Sequence, residues 1–117
     1  MKIERHEVGP RMSKCVVHGD TVYLAGIVAN EPKGKSVKEQ MLDIVGQIDG
    51  LLAKAGTDKT RLLSANIWIT DMANFAEMNS VWDTWVSQGN TPARATVEAK
   101  LATPDYKVEI MVVAARA

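Results

Sequence analysis

Two residues near the C-terminal end, Arg94 and Glu109, have types and spacing that suit chemistry. They lie in segments that alternate apolar and polar residues with the period of β-strands, on either side of the sequence ATPD at 102–105. Because proline and aspartate favour a turn there, we predict an antiparallel hairpin. Pairing Glu98 with Lys107 would oppose unlike charges and make Arg94 and Glu109 diagonal neighbours on one face, about 7–8 Å apart.

A cation and a half-buried carboxylate at one spot would suit the binding and hydrolysis of a small carboxylate. The planar guanidinium of Arg94 can donate two parallel hydrogen bonds to a carboxylate. Glu109 can accept a proton from an attacking water. The residues alone leave a second interpretation open, in which the pair is a structural ion pair at a subunit contact.

A second candidate position is Ala25-Gly26, near the end of the predicted strand 21–28. Glycine inside a strand marks either a bulge or a place where a ligand or another backbone approaches closely. The sequence pattern does not choose between the two.

The remaining elements would position these residues in one α+β domain over residues 1–117. A capping box at Ser36 and Glu39 starts the first helix, and Asn74 caps the second. We expect a mixed, largely antiparallel sheet of six strands with both helices on one face, since each helix connects two strands. The predicted strands are 2–7, 15–18, 21–28, 62–70, 93–101 and 106–115, and the predicted helices are 37–55 and 74–86.

The sheet face without helices should carry the candidate site and a subunit contact. The predicted hairpin puts Arg94, Thr96 and Glu109 on this face together with Met111 and Val113. Exposed apolar residues in such a patch indicate association of copies. The sequence therefore predicts an oligomer.

Composition excludes several classes of function. The hydrophobic fraction of 46% and charged fraction of 24% are those of a globular protein. Fourteen basic and fourteen acidic residues give no electrostatic attraction to nucleic acid or to an anionic membrane. The single Cys15 and the isolated His6 and His18 offer neither a disulfide nor metal-ligand spacing. The start MKIERHEVGP has no apolar run, so we expect a cytoplasmic protein.

Three motifs make the chain resemble the RidA (YjgF) family: VYLAG at 22–26, PAR at 92–94 and KVEI at 107–110. The resemblance implies a homotrimer with a chorismate-mutase-like arrangement and clefts between subunits. It also implies deamination of 2-imino acids without a cofactor or metal. Arg94 would bind the substrate carboxylate, and Glu109 would position or activate water. Backbone groups at Ala25-Gly26 of a neighbouring subunit would close the cleft, and Asn79 would lie near it.

The chain departs from the family pattern around this pocket, and a second function stays open. The departures are Met12 in place of a tyrosine, Ala25 in place of a small hydroxyl residue, Ile27 in place of glutamine, and Thr96 in place of cysteine. The alternative is a non-catalytic trimer that binds a small carboxylate metabolite or a protein partner in the same clefts. Chorismate mutase activity is disfavoured, because its dianionic substrate calls for more than one well-placed cation.

Overall fold

The predicted order of strands and helices is confirmed in the computed structural model, which describes residues 1–116. Six strands and two α-helices form one α+β domain, and short 3₁₀ turns precede β4 and α2. The elements are β1 (Ile3–Val8), β2 (Ser13–His18), β3 (Thr21–Leu24), α1 (Val37–Lys54), β4 (Leu62–Ile69), α2 (Phe75–Trp85), β5 (Ala93–Glu98) and β6 (Val108–Ala115).

The sheet has the strand order β1-β2-β3-β6-β4-β5, with β4 and β5 parallel and the other pairs antiparallel. The predicted hairpin between β5 and β6 is therefore wrong, because β4 lies between them. Helix α2 returns the chain to the far side of β4, as a parallel crossover does. Burial of Ala65, Ile67 and Ile69 of β4 outweighs cross-strand charge pairs, which contribute only about 0.2–1 kcal/mol each.

Both helices lie on one face of the sheet, as predicted, and share a single apolar core with it. Strand β6 shows the division between the two faces most clearly. Alternate residues from Val108 to Ala114 have no exposed surface, whereas the intervening residues from Glu109 to Ala115 are half-buried on the opposite face. We call this opposite side of the sheet the open face.

The first helix begins as predicted, and the second does not. Ser36 and Glu39 form the reciprocal capping box, with both hydrogen bonds at 3.1 Å. The bonds from Ser36 hold the pKa of Glu39 below its usual range. The side chain of Asn74 makes no cap bond. Instead Asp71 caps the 3₁₀ turn before α2 by accepting from the N–H of Ala73 at 2.9 Å, because an aspartate two residues before an N–H readily forms this local bond.

Two further predictions fail where strand geometry is irregular. Period-2 alternation along the predicted strand 62–70 puts Leu63 on the face of Ala65, but a register shift between Leu62 and Ser64 turns Leu62 into the core and leaves Leu63 51% exposed. Strand β3 ends at Leu24, and beyond it only a single bridge joins Ile27 to Ile110. Ala25-Gly26 therefore lies outside the regular ladder.

Gln40 is a buried polar side chain that ties α1 to the segment before β6. Its amide Nε2 donates to the carbonyl of Asp105 at 2.9 Å, and its Oε1 accepts from the N–H of Lys107 at 3.0 Å. Two carbonyls of the loop before α1 also accept from Nε2, each at 3.3 Å. These bonds fix the backbone on both sides of Tyr106.

Gln40→Leu is expected to lower the free energy of unfolding by about 2–4 kcal/mol, because buried backbone groups lose their partners. Chemical denaturation followed by tryptophan fluorescence measures the change. Gln88→Leu is the matched control, since Gln88 is exposed and makes one bond, at 3.2 Å. Equal effects of the two substitutions would contradict a structural role for Gln40.

Candidate functional site

Gly26 lies directly against the carboxylate of Glu109 on the open face. A β-carbon at position 26 would overlap Glu109 Oε2, so a side chain there would push this carboxylate aside. Glycine is therefore required here for close approach, and what approaches is a side chain of the same chain. We expected Ala25-Gly26 to come from a neighbouring subunit, whereas within this chain Gly26 lies against Glu109 itself.

A pocket of about 230 Å³ opens beside Gly26. Met12, which stands in place of a tyrosine of the family pattern, lines it. Lys14 and Tyr106 also line it, and sequence reasoning missed both. Tyr106 was assigned only to the start of the predicted strand 106–115, and nothing in the local pattern marked Lys14. The other lining residues are Ile27, Val28, Ala29, Asn30 and Gln47.

Arg94 lies at the other candidate position, on edge strand β5. Its guanidinium carbon is 5.4 Å from the ring centre of Trp82 and 5.9 Å from that of Phe75. Its Nη1 donates to Asn79 Oδ1 at 2.9 Å. Among residues 1–116 no carboxylate lies within 4.0 Å of it, so neutral groups hold this cation. The remaining N–H groups are available to an anion.

Trp82 and Phe75 therefore do more than the sequence indicated. Both are among the apolar residues that recur at helical spacing along α2, and Trp82 is buried, whereas Phe75 is 38% exposed. Their ring faces attract the guanidinium through a cation–π interaction, which also limits its motion. The aromatic residues of α2 thus orient Arg94.

Thr96 offers its backbone rather than its side chain. The hydroxyl is buried and has no hydrogen-bond partner in the described part of the chain. The N–H of Ala99 donates to the carbonyl of Ile69 on β4. Since N–H groups alternate in direction along a strand, the N–H of Thr96 points away from β4 and off the edge of the sheet. This N–H is two residues along β5 from Arg94.

The structure does not bring Arg94 and Glu109 together within one chain. Ala65 of β4 pairs with Arg94 on one side and with Val112 on the other, which places Arg94 on the helix-covered side of the sheet. Glu109 projects from the open face. Two strand spacings and the three residues from Val112 to Glu109 separate their Cα atoms by about 14 Å. The prediction of adjacent side chains on one face is therefore wrong, and Arg94 and Thr96 do not lie on the open face.

The candidate residues form two groups, which we name by their charged members. The Arg94 half-site contains Arg94, Asn79 and the backbone of Thr96. The Glu109 half-site contains Glu109, Gly26 and Met12. Ala25 adjoins the second group, but its N–H is occupied by the carbonyl of Lys14 at 2.9 Å.

Neither half-site has the composition of a metal centre. Across residues 1–116, no three His, Cys, Asp or Glu residues are grouped so that they could hold a metal ion. Over the same residues, no helix has the length and apolarity needed to span a membrane. Burial raises the pKa of the Cys15 thiol above its usual range, which keeps that group protonated and unreactive at neutral pH.

Residues 5–116 match the sequence model of the family described as Endoribonuclease L-PSP, and the chain belongs to this family. Its relatives carry the RutC and YjgF names, so the resemblance to the RidA (YjgF) family is confirmed. A RutC family protein of Haemophilus influenzae is 42% identical over 114 residues, which are 97% of this chain and 98% of that protein. YoaB, a RutC family protein of Escherichia coli, is 42% identical over 115 residues, 98% of this chain and 99% of YoaB.

Solved structures agree with this assignment. A YjgF family member from Neisseria meningitidis is 44% identical, with a TM-score of 0.96 over 100% of this chain and 97% of that one. An uncharacterized protein from Pseudomonas aeruginosa is 40% identical, with a TM-score of 0.96 over 99% and 100% of the two chains. The α+β fold is thus shared over nearly the full length.

Proposed function

We propose that this protein hydrolyses short 2-imino acids to 2-keto acids and ammonia, in clefts between the subunits of a homotrimer. The observation that carries the proposal is the division of the site. Arg94 is a cation without a carboxylate partner, Glu109 is a carboxylate beside a required glycine, and they lie on opposite sides of one sheet. A second copy that docks its β5 edge against the open face would place both on one ligand.

The open face supports such docking because it is rich in apolar side chains. Tyr23 and Val97 are 48% and 49% exposed, and Trp68, Met111 and Val113 are half-buried between them. A surface of this kind on an isolated chain indicates an interface. Because the surface that docks differs from the surface that receives it, the contact is head-to-tail and must close into a ring. A trimer is the ring that the family resemblance implies.

In the proposed reaction Arg94 would bind the substrate carboxylate through two parallel, charge-assisted hydrogen bonds. Asn79 and the two aromatic rings keep the guanidinium in place, and the outward N–H of Thr96 would donate to the same carboxylate. Glu109 of the other subunit would accept a proton from water as the water oxygen bonds to the imine carbon. That proton would pass to the nitrogen, which gives a carbinolamine. Glu109 would then take the hydroxyl proton as the carbonyl forms and deliver it to the nitrogen as the carbon–nitrogen bond breaks, so that ammonia leaves a 2-keto acid. This sequence uses only substrate and water.

The test is the decay of 2-iminopropanoate generated in situ, with wild type compared with Arg94→Ala. Wild type should accelerate ammonia release above the buffer rate, and Arg94→Ala should lose most of that acceleration because the carboxylate is no longer anchored. Arg61→Ala is the matched control, since Arg61 is an exposed arginine of the turn before β4. If wild type binds 2-keto acids but leaves imine decay unchanged, the protein is the non-catalytic carboxylate binder and the enzymatic proposal fails.

The assembly is a separate prediction. Light scattering or sedimentation at micromolar concentration should give a mass near three times 12.8 kDa. Met111→Asp should dissociate the assembly, because an unpaired charge buried at the contact costs several kcal/mol, on the order of 2–7. Leu42→Asp is the control, as Leu42 is 55% exposed on helix α1, away from the open face. A monomeric wild type would remove the proposed cleft.

Gly26→Ala is expected to leave the fold and the mass intact while lowering turnover of 2-iminopropanoate by about 10-fold or more, because a displaced catalytic group costs rate steeply. The new methyl group must push the Glu109 carboxylate aside, which a flexible side chain allows. Gly46→Ala is the control, since a β-carbon there meets nothing within 4 Å. Unchanged turnover in Gly26→Ala would mean that the position of this carboxylate does not matter.

A further inference from the structure

Resting on the proposed function, we infer that the preferred substrates are dicarboxylic 2-imino acids, with Lys14 binding the carboxylate at the far end of the side chain. The argument starts from the pocket of about 230 Å³ beside Gly26. A cavity of this size exceeds what the methyl group of 2-iminopropanoate would fill. Its lining indicates what else enters it.

The lining of this pocket includes four residues with polar side chains. They are Lys14, Asn30, Gln47 and Tyr106. The Nε2 of Gln47 already donates to the carbonyl of Val28 at 2.9 Å. Lys14 is thus the cation of this pocket, and a lysine ammonium offers three donors to an anionic group.

Lys14 has no carboxylate partner of its own. Within residues 1–116 no acidic oxygen lies within 4.0 Å of its Nζ. The nearby carboxylate of Glu7 is engaged by Lys54 at 2.8 Å. Lys14 is half-buried as a residue, and its ammonium, beside an already neutralised pair, attracts an external anion. This is the same condition that marks Arg94 in the other half-site.

The backbone geometry places Lys14 at a suitable distance from the reacting position. Ala25 follows the end of β3, and its N–H donates to the carbonyl of Lys14. Ile27, two residues later, pairs with Ile110, which is next to Glu109 in β6. One segment of chain therefore separates Lys14 from β6, which is about 10 Å between their backbones. The lysine side chain and the carbon chain of a dicarboxylic acid together span this interval.

Binding of stable product analogues tests the inference directly. Titration calorimetry should show 2-oxoglutarate binding to wild type about ten- to a hundredfold more tightly than to Lys14→Met, the value of one hydrogen bond to a charged group. The affinity of 2-oxobutanoate, which lacks the second carboxylate, should change by less than about twofold. Lys14→Arg should retain most of the preference. Lys33→Met is the matched control, an exposed lysine outside this pocket.

The outcomes separate this inference from the proposed function. Turnover of the imine of glutamate should fall in Lys14→Met by the same factor, with 2-iminopropanoate unaffected. Binding of 2-oxobutanoate without any effect of Lys14 on 2-oxoglutarate overturns the inference alone. Binding of the keto acids without turnover of the imines overturns the enzymatic proposal alone. The affinities for 2-oxoglutarate and 2-oxobutanoate still decide the role of Lys14. Failure to bind either keto acid overturns both.

Discussion

Glu109→Gln is expected to lower turnover of 2-iminopropanoate by about 10²–10⁴ while binding of 2-oxobutanoate stays within a few-fold of wild type, the range for loss of a general base. Glutamine keeps the shape of the side chain and its place beside Gly26. It cannot accept a proton from water. Single-turnover kinetics would place the loss in the chemical step, and calorimetry with the keto acid would measure binding separately.

Glu31→Gln is the matched control for this experiment, because Glu31 is exposed and is not among the residues that line the pocket beside Gly26. Circular dichroism and mass should be unchanged in both variants. Full turnover in Glu109→Gln would show that Arg94 and the cleft backbone orient a solvent water unaided. In that case the assignment of Glu109 as the base is wrong even though the activity is present.

Local sequence patterns predicted where the strands and helices lie, but they did not predict which strands are neighbours in the sheet. Period-2 alternation identified β6 because its buried residues are apolar at every second position from Val108 to Ala114. The capping box at Ser36 identified the start of α1, because its hydrogen bonds join residues only three apart and are therefore visible in the local sequence. Pairing of strands depends on contacts distant in sequence. Charges on Glu98 and Lys107 favoured a hairpin that β4 displaces.

The site shows the same limit more sharply. Arg94 and Glu109 were identified by type, motif and position, but their spatial relation came from the wrong strand pairing. The sequence marked Gly26 as either a bulge or a place of close approach, and nothing local identified Glu109 as its neighbour. Tyr106 and Lys14 reach the pocket only because Gln40 and the end of β3 direct the backbone there. A pocket whose lining residues come from distant segments cannot be predicted from a short stretch of sequence.

Mixing two inactive variants should restore activity, since a cleft shared between subunits needs Arg94 from one chain and Glu109 from another. Arg94→Ala and Glu109→Gln chains, refolded together at equal concentration, should form trimers at random. Each cleft then receives both native residues with a probability of about one quarter, so turnover should recover to about a quarter of wild type. Each variant refolded alone should stay at its own low rate.

The control is the double variant Arg94→Ala/Glu109→Gln refolded with an equal amount of wild type. A shared cleft again predicts about one quarter of wild-type turnover, because both native residues must come from two adjacent wild-type chains. A site inside a single chain predicts about one half for this mixture and no recovery for the first one. That second pattern would refute the division of the site between subunits. Arg94 and Glu109 lie on opposite sides of the sheet, so one chain could bring them together only if its fold changed.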